Sequence, residues 1–595
     1  MSLASRYHSA LLTATLSVAL AAGATSTANA QAPGGFVASP QLTEAQRLVT
    51  QRKYADAVPV LRELLKSQPL LGPAWMSLGA AQRGLGMPDS AIAAYEQAAK
   101  RPGVARQAAL QLLIVNAEQN HLDEAVRWLE QVRASRLDFS SIRINKEIEN
   151  LRNDPRFAVL FPAPADFAKP FVEPVHIIHE WRGEAAGDEF GWIARGIGDV
   201  DKDGVTDVAV TATANAPSGN TIGKVYAYSG KTGKLLWKKV SVAGAFFGNT
   251  LESAGDVNRD GIPDVIVGAP GLNGFFIYSG LDGREIRKVT GDSSVTDLGS
   301  GVAGVGDLNH DGYADVIASA PSANAGKGAG TGRVYIYSGK DFTPLLVLDG
   351  DAPGDSFGST VGAGDGRHFV VGAAGANGSG RVYAYDGLSS TPIFTRQADS
   401  TGVALGAMFA SVVGDVNGDG VADMYATDFA NTIAGPGSGR AYIYSGKTGE
   451  PLYVKSGSSP GEGMGIGAGR TGDVNGDGFA DFVVAGWQYA GAAWSGGRVQ
   501  VFSGKDGSLL QSFTGRVPGE TLGFDAVGVG DVDGDGTTDY LLTSAWSLVN
   551  GVRSGRVYIV SGTVKKKRTS ITAPTDPAPR RAPQSSASPS HPAPD

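Results

Sequence analysis

The sequence predicts a multidomain chain in which an α-helical solenoid of paired helices is followed by an all-β domain, a seven-bladed β-propeller. Two internal repeats lead to this prediction. A period of 34 residues recurs between residues 41 and 135, and this length is typical of stacked helical hairpins. A second repeat, 48 to 59 residues long, recurs seven times after residue 175 and suits four short strands per copy.

Length and composition agree with this division. A chain of 595 residues exceeds what one compact core usually holds. The 84 Gly and 30 Pro favour many short strands and turns over long helices. A formal net charge of -8 argues against a nucleic-acid partner.

Residues 1–30 have the pattern of a signal peptide. Arg6 precedes an apolar run over residues 10–22, and Ala28 and Ala30 place small residues where a signal peptidase cleaves. The run is shorter than the roughly 20 residues of a membrane-spanning helix, and we expect no transmembrane segment. We therefore predict export to the periplasm or the outside of a bacterial cell, with a mature chain that begins at Gln31 and has no cysteine to form disulfides.

Three columns of residues define the helical repeat. Small alanines let paired helices approach, and a bulkier column fills the groove between them. The columns are Ala57, Ala91 and Ala125; Leu61, Tyr95 and Leu129; and Leu64, Ala98 and Val132. With Trp75 and the Leu78-Gly79 pair, residues 31–160 resemble a tetratricopeptide-repeat domain; the alternative is a generic array of helical hairpins.

Two segments have the composition of connecting chain. Residues 161–174 hold too many prolines for a helix and are predicted to form a linker. Residues 563–595 are rich in Pro, Ser and Ala and predict a disordered tail. The basic cluster at 565–568 belongs to this tail.

The second repeat spans residues 175–562 and is marked by one recurring strand. GKVYAYSG at Gly223 returns as GFFIYSG, GRVYIYSG, GRVYAYDG, GRAYIYSG, GRVQVFSG and GRVYIVSG at Gly274, Gly332, Gly380, Gly439, Gly497 and Gly555. Seven copies of a four-stranded unit predict seven propeller blades. The seventh copy lacks a strand after it, and residues 176–183 before the first copy resemble that missing strand. We therefore predict that they close the ring, which removes two exposed sheet edges.

Six copies carry an acidic nine-residue motif, such as DVNGDGFAD at 473–481, with oxygen-bearing side chains at positions one, three, five and nine and glycine at six. Blade four keeps Asp365 but has no such loop. The predicted metal-binding side chains are Asp199, Asp201, Asp203 and Asp207; Asp256, Asn258, Asp260 and Asp264; Asp307, Asn309, Asp311 and Asp315; Asp415, Asn417, Asp419 and Asp423; Asp473, Asn475, Asp477 and Asp481; and Asp531, Asp533, Asp535 and Asp539.

The chemistry of these loops points to Ca²⁺. Calcium takes 6 to 8 oxygen ligands, and alternating side chains can converge on it while glycine at position six permits the sharp turn. Zinc would require His or Cys ligands, and magnesium prefers stricter geometry. The alternative is that these side chains cap their own turns. We expect about six structural calcium sites.

The blades resemble the FG-GAP repeats of integrin α-subunits. The first signature is present as Phe190-Gly191, Phe247-Gly248 and Phe357-Gly358, and the second as VGAP at 267–270. The first signature is altered to Leu298-Gly299, Met464-Gly465, Leu522-Gly523 and, in blade five, Phe409-Ala410. The resemblance implies a calcium-stabilised propeller used in extracellular recognition.

A candidate ligand face lies on the loops between the second and third strands of blades six and seven. It consists of Trp487, Tyr489, Trp494 and Trp546, residue types that dominate binding hot spots. The alternative is that these rings pack between blades.

No catalytic set of residues emerges. The seven histidines are scattered, and GDSFG at 354–358 matches a nucleophile elbow only in a turn without a following helix. We therefore expect a non-enzymatic, exported recognition, adhesion or scaffold protein that binds a protein or a cell-surface or envelope ligand. The alternatives are an enzyme or enzyme accessory with a site on the propeller axis, and a structural spacer in a cell-envelope complex.

Overall fold

The computed structural model describes residues 40–101, 103–134, 146–213, 222–292, 295–467 and 469–562. The predicted signal peptide and tail lie outside these residues. The described part confirms the predicted fold class, with paired helices followed by a seven-bladed propeller. None of its helices has both the length and the apolar character needed to cross a membrane.

The helical domain contains three antiparallel helix pairs in its described residues. The repeat columns lie at their contacts: Ala57, Ala91 and Ala125 are fully buried, and Tyr95 is 1% exposed. Proline in the first turn starts the third and fourth helices, where its missing N–H costs no hydrogen bond. The helices are α1 (Pro40–Thr50), α2 (Tyr54–Ser67), α3 (Gly72–Gly84), α4 (Pro88–Ala99), α5 (Ala105–Glu118) and α6 (Leu122–Ala134).

Each propeller blade is an antiparallel sheet whose second strand is buried and whose fourth strand alternates toward solvent. The strands are, for blade one, β2 (Phe190–Gly198), β3 (Asp207–Ala212), β4 (Ile222–Tyr228) and β5 (Leu235–Ala243); blade two, β6 (Leu251–Gly255), β7 (Asp264–Ala269), β8 (Gly274–Tyr278) and β9 (Glu285–Thr290); blade three, β10 (Val302–Gly306), β11 (Asp315–Ala320), β12 (Arg333–Tyr337) and β13 (Pro344–Asp349); blade four, β14 (Phe357–Ala363), β15 (His368–Ala373), β16 (Arg381–Asp386) and β17 (Phe394–Gln397); blade five, β18 (Ala410–Gly414), β19 (Asp423–Asp428), β20 (Arg440–Tyr444) and β21 (Pro451–Ser456); blade six, β22 (Met464–Ile466), β23 (Arg470–Gly472), β24 (Asp481–Gly486), β25 (Arg498–Phe502) and β26 (Leu509–Thr514); and blade seven, β27 (Ala526–Gly530), β28 (Asp539–Ser544), β29 (Arg556–Val560) and β1 (Ile177–Arg182).

The N-terminal strand closes the ring, as predicted. Strand β1 pairs antiparallel with β29, from Ile177 opposite Val560 to Arg182 opposite Arg556. Blade seven therefore takes its outer strand from before blade one. This pairing leaves no gap between the first and last blades of the chain.

At or just before the start of each inner strand, the signature places an apolar residue in the core and a glycine at positive φ. Phe190 is 1% exposed and Gly191 has a φ of +90°, a region that favours glycine. The altered pairs Leu298-Gly299, Met464-Gly465 and Leu522-Gly523 keep both properties.

In blade five, the prediction that Phe409-Ala410 holds the signature is wrong. Leu405 is fully buried and forms an isolated β-bridge with Gly380. Leu522, the signature residue of blade seven, forms the same kind of bridge with Gly497. Gly406 has a φ of +76°, and its N–H donates to Thr427 O at 2.9 Å. Leu405-Gly406 therefore takes the place of the signature, and Ala410 begins β18.

Short 3₁₀ helices at Lys146–Asn153, Pro155–Leu160 and Pro164–Ala168 connect the two domains. Phe157 and Leu160, both fully buried, share one hydrophobic cluster with α5, α6 and Trp494 of blade six. The indole of Trp494 is thus part of the core of the helical domain. This shared core fastens the helical domain to the propeller.

The predicted linker lies against blade six. Val172 N–H donates to Thr514 O at 2.8 Å, and Arg516 N–H donates to Pro170 O at 2.9 Å. The Glu173 carboxylate accepts from both the N–H and the hydroxyl of Thr514, each at 2.7 Å. The segment therefore extends the outer edge of β26, and the two domains belong to one compact unit.

Candidate metal loops

The six acidic motifs occupy the same place in their blades. Each loop follows the inner strand, and its position-nine aspartate is the first residue of the second strand, as Asp207 is in β3. Because every loop joins the first strand to the second, all six lie at one end of the ring. The structure thus places each predicted set of four side chains in its own loop, with no set divided between loops.

The position-one aspartate is held by the loop backbone. In blade one, Asp199 Oδ1 accepts from Asp203 N–H at 3.0 Å and Oδ2 accepts from Gly204 N–H at 2.9 Å. The same pair of hydrogen bonds recurs in the other five loops. Gly204 has a φ of +89°, which is why this position is glycine in every loop.

Positions three and five are oriented in the same way. Asp201 Oδ1 accepts from Asp203 N–H, and Asp203 Oδ1 accepts from Val205 N–H. Where position three is asparagine, its side-chain oxygen makes the same bond, as Asn475 Oδ1 does with Asp477 N–H at 2.9 Å. Asparagine therefore supplies its oxygen at the place where aspartate would.

The position-nine aspartate has a second role that the sequence interpretation missed. It is fully buried in all six loops. In blade six, Asp481 Oδ2 accepts from Val474 N–H at 2.8 Å and Oδ1 accepts from Gly504 N–H at 2.9 Å, in the turn after the third strand. The aspartate thus joins its loop to that turn. The sequence signal for this contact was that every blade with an acidic loop also has Ser-Gly at the end of its recurring strand.

Burial and crowding raise the pKa of these buried carboxyls. The pKa of Asp264 rises to about 7, because burial outweighs hydrogen bonds from Val257 and Gly280 and because Asp260 and Asp256 are close. Burial likewise raises the pKa of Asp423 and that of Asp539 to about 6. A nearby cation would offset this cost of holding several carboxylates together.

The donor set of the loops fits a hard cation. Carboxylate oxygens of Asp199, Asp201 and Asp207 lie within 4.8 Å of one another, and so do those of Asp531, Asp533 and Asp535. The backbone hydrogen bonds resemble turn capping, but a carboxylate oxygen has two lone pairs and can accept an N–H and still coordinate an ion. Oxygen-only donors around a glycine turn suit Ca²⁺.

Blade four replaces the acidic loop by a charged side-chain cluster. His368 Nδ1 lies 2.5 Å from Asp365 Oδ2, and Arg367 Nε and Nη2 donate to the two Asp386 oxygens at 2.5 and 2.6 Å. The Asp365 carboxylate also accepts from the N–H groups of Arg367 and His368. The turn that joins β14 to β15 thus carries its own positive charges.

This cluster predicts a pH-dependent stability contribution. The hydrogen bond to Asp365 raises the pKa of His368, with burial and Arg367 opposing it, and the pKa of Asp365 is lowered by His368 despite burial. The Asp365–His368 pair therefore makes its full contribution to folding stability at pH values above the ordinary aspartate pKa and below the ordinary histidine pKa. The contribution of the histidine is lost as the pH rises through the raised pKa of His368. We expect His368→Gln to cost about 1 kcal/mol at pH 5.5 and clearly less at pH 9, measured by urea unfolding.

His121→Gln is the matched control, because His121 is exposed at a turn between helices. Its effect on unfolding should be small at both pH values. An equal cost of His368→Gln at both pH values would show that the imidazole only fills space.

The proposed aromatic ligand face requires correction. Trp487, Trp494 and Trp546 are 6%, 8% and 4% exposed. The rings of Trp487 and Trp546 lie 4.6 Å apart and both contact Phe524, and Trp494 lies in the helical-domain core. Tyr489 is partly buried beneath Arg498 at 3.8 Å. The three tryptophans pack inside the protein because large aromatic rings bury more apolar area there, so the four side chains form no shared open surface.

Comparisons with known proteins agree with the repeats described above. The FG-GAP repeat family matches residues 247–281 and 298–337, and the FG-GAP-like repeat family matches residues 473–542. The tetratricopeptide repeat family matches residues 42–86 and 76–138. The chain is thus a protein of N-terminal tetratricopeptide repeats and an FG-GAP-repeat propeller.

Curated relatives include integrin α-subunits. Integrin alpha-PS5 of Drosophila melanogaster is 31% identical over 193 residues, which cover 29% of this chain and 18% of the relative. Integrin alpha-6 of Gallus gallus is 32% identical over 152 residues, with 23% and 14% covered, and integrin alpha-2 of Bos taurus is 31% identical over 166 residues, with 24% and 14% covered. The similarity therefore spans less than a fifth of each of these relatives.

Proposed function

We propose that this protein is an exported, calcium-binding recognition or scaffold protein. Its partners would bind the tetratricopeptide unit and the integrin-like propeller. The observation that carries the proposal is the same oxygen-rich loop at the same place in six blades of a propeller that packs against a repeat domain of a kind that serves binding. The similarity to integrin α-subunits supports recognition of a protein or cell-surface ligand.

In this proposal each loop holds one calcium ion. The ligands are the side chains at positions one, three, five and nine and the backbone carbonyl at position seven, as in Asp473, Asn475, Asp477, Phe479 and Asp481. The bound ion would neutralise the carboxylates and keep each loop in one conformation. The backbone hydrogen bonds already orient the oxygens, which lowers the entropy lost when an ion binds.

The junction supports a scaffold role. Trp494 in the helical core and the strand-like pairing at Thr514 hold the helical domain against blade six. Two binding surfaces on one compact unit keep a fixed separation and orientation. A scaffold that places one partner relative to another needs such a fixed geometry.

Export and the absence of catalysis are parts of the same proposal. The pattern of residues 1–30 supports export to the periplasm or beyond the cell. The scattered histidines and the turn at GDSFG support binding over catalysis. An enzyme or enzyme accessory with a site on the propeller axis and an envelope spacer are the competing functions.

The test is capture of a partner by the purified mature protein. Immobilised protein in calcium should retain a specific envelope or surface component, and EGTA should release it at a temperature where circular dichroism shows the protein still folded. The retained component should then bind saturably when purified and re-added. A variant with Asp365→Asn in blade four, outside the six loops, should keep the same calcium dependence. Retention equal to that on an unrelated propeller would contradict the proposal.

A further inference from the structure

A polar channel of about 540 Å³ runs along the propeller axis. Its volume falls in the range of small-molecule sites. Inner strands of six blades line it, and much of its wall is backbone because ten of the lining residues are glycine. The lining residues are Arg195, Gly196, Gly198, Thr206, Glu252, Ser253, Ala254, Gly255, Ala303, Gly304, Gly306, Ala363, Gly364, Gly366, Arg470, Thr471, Gly472, Val527, Gly528, Val529 and Gly530.

The channel opens at the loop end of the ring. Gly472 and Gly530 are exposed and immediately precede the acidic loops of blades six and seven. Farther along the inner strands, Trp192 packs against Phe524 at 4.9 Å, and both are buried. Solvent therefore reaches the channel from the loop side, and aromatic side chains occupy the other end.

The charged side chains at the inner end of the channel form one network. Arg195 pairs with both Asp525 and Glu252. Arg470 Nη2 donates to Glu252 Oε2 at 2.8 Å. Both oxygens of Glu252 are thus engaged by guanidinium groups.

Arg470 is the accessible member of this network. Its side chain is 31% exposed, against 6% for Arg195 and 18% for Glu252. Its other contact is from Nη1 to Ala363 O at 3.1 Å. A guanidinium has five N–H donors, so three of them have no partner among the described residues. The channel end therefore offers donors to a ligand that brings acceptors.

We propose that the axial channel binds a small carboxylate, with the carboxylate on Arg470 and the rest of the molecule along the glycine-rich wall. A planar carboxylate matches the fork of a guanidinium and forms short, charge-assisted hydrogen bonds. Arg195 and Arg470 balance Glu252 and Asp525 in charge, so directed hydrogen bonds rather than net charge select the ligand. This site shares none of the predicted metal-binding side chains of the six loops.

The test uses succinate as the probe and neutral succinamide, which has the same length, as the matched compound. Isothermal titration of the full protein, with calcium present throughout, should show saturable succinate binding. Succinamide should bind at least about tenfold more weakly, because it lacks the charged acceptor. No heat and no ligand-detected NMR signal with millimolar succinate would overturn the proposal.

Two variants locate the site. Arg470→Gln removes the guanidinium and should abolish binding; a calorimetric melt shows whether the variant folds. Ser253→Leu leaves the charged network intact and fills the channel, and it should also abolish binding. Loss of binding in Ser253→Leu supports the proposal even where Arg470→Gln does not fold. Succinate binding that persists in a folded Ser253→Leu protein would place the ligand outside the channel and overturn it.

Discussion

Removal of calcium by EGTA is expected to lower the melting temperature of the propeller more than any single substitution. A ligand present at about 100 times its dissociation constant contributes about 2.7 kcal/mol per site. Six such sites contribute at most about 16 kcal/mol, the same order as the roughly 5–15 kcal/mol by which folded domains are stable, so in EGTA the propeller should stay folded only at low temperature. Differential scanning calorimetry in calcium, in EGTA and in EGTA followed by magnesium measures the effect. Magnesium should restore little, because its stricter octahedral geometry suits these loops poorly.

The number of bound ions provides the matched control. Titration calorimetry should give about six ions per chain. Asp473→Asn with Asp477→Asn removes two carboxylates from the loop of blade six and should reduce the number by one. Asp365→Asn in blade four should leave it unchanged. An identical melting curve in calcium and EGTA would falsify the assignment of the loops.

Arg556→Met is expected to destabilise the protein by about 3–5 kcal/mol, since it removes the Arg556 charge from beside the buried Glu520 carboxylate, which is 1% exposed. The Arg556 side chain is 1% exposed, and its Nη2 donates to Glu180 Oε2 and to Phe167 O, each at 2.8 Å. Its Nη1 lies 3.5 Å from Glu520 Oε1. One guanidinium therefore joins blade seven, the closing strand and the 3₁₀ helix before it. Urea unfolding measures the change.

Arg333→Met is the matched control, because Arg333 begins the third strand of blade three as Arg556 does in blade seven. Its side chain and that of Asp349 are 27% and 29% exposed, and the expected cost is about 1 kcal/mol or less. Adding Glu520→Gln to Arg556→Met should recover part of the loss, because it removes the buried carboxylate that Arg556 faces. Equal costs for the two arginine substitutions would show that burial of the pair at Arg556 contributes little.

The repeats made the fold and the loop positions predictable from sequence. A feature that recurs six or seven times at one spacing, such as Asp473 to Asp481, is distinguishable from chance. The closing strand was also predictable, because the last copy lacked a strand that residues 176–183 resemble. The calcium ions themselves stay a prediction.

The features that depend on contacts between distant segments could not be predicted. The proline content predicted a linker at residues 161–174. The hydrogen bonds between Glu173 and Thr514 could not be predicted, because the two residues are remote in sequence. Trp487 and Trp546 are buried against Phe524, and Trp494 is buried by the helical domain. Those covering residues could not be recognised from the sequence around each tryptophan. In blade five, two apolar-small pairs lie four residues apart, and only contacts with distant residues, Gly380 and Thr427, distinguish Leu405-Gly406.

The closing strand also sets the order in which the chain can reach its native state. Glu180 and Arg556 make contact across 376 residues of chain, so the ring cannot be completed until the last blade has left the ribosome. Until then β1 has no strand to pair with, and loops this long slow the search for the final pairing. An emerging chain with an unpaired strand is prone to pair with another copy. The same closure that protects the finished ring therefore makes its synthesis the vulnerable period, in which a holding chaperone would have the most effect on yield.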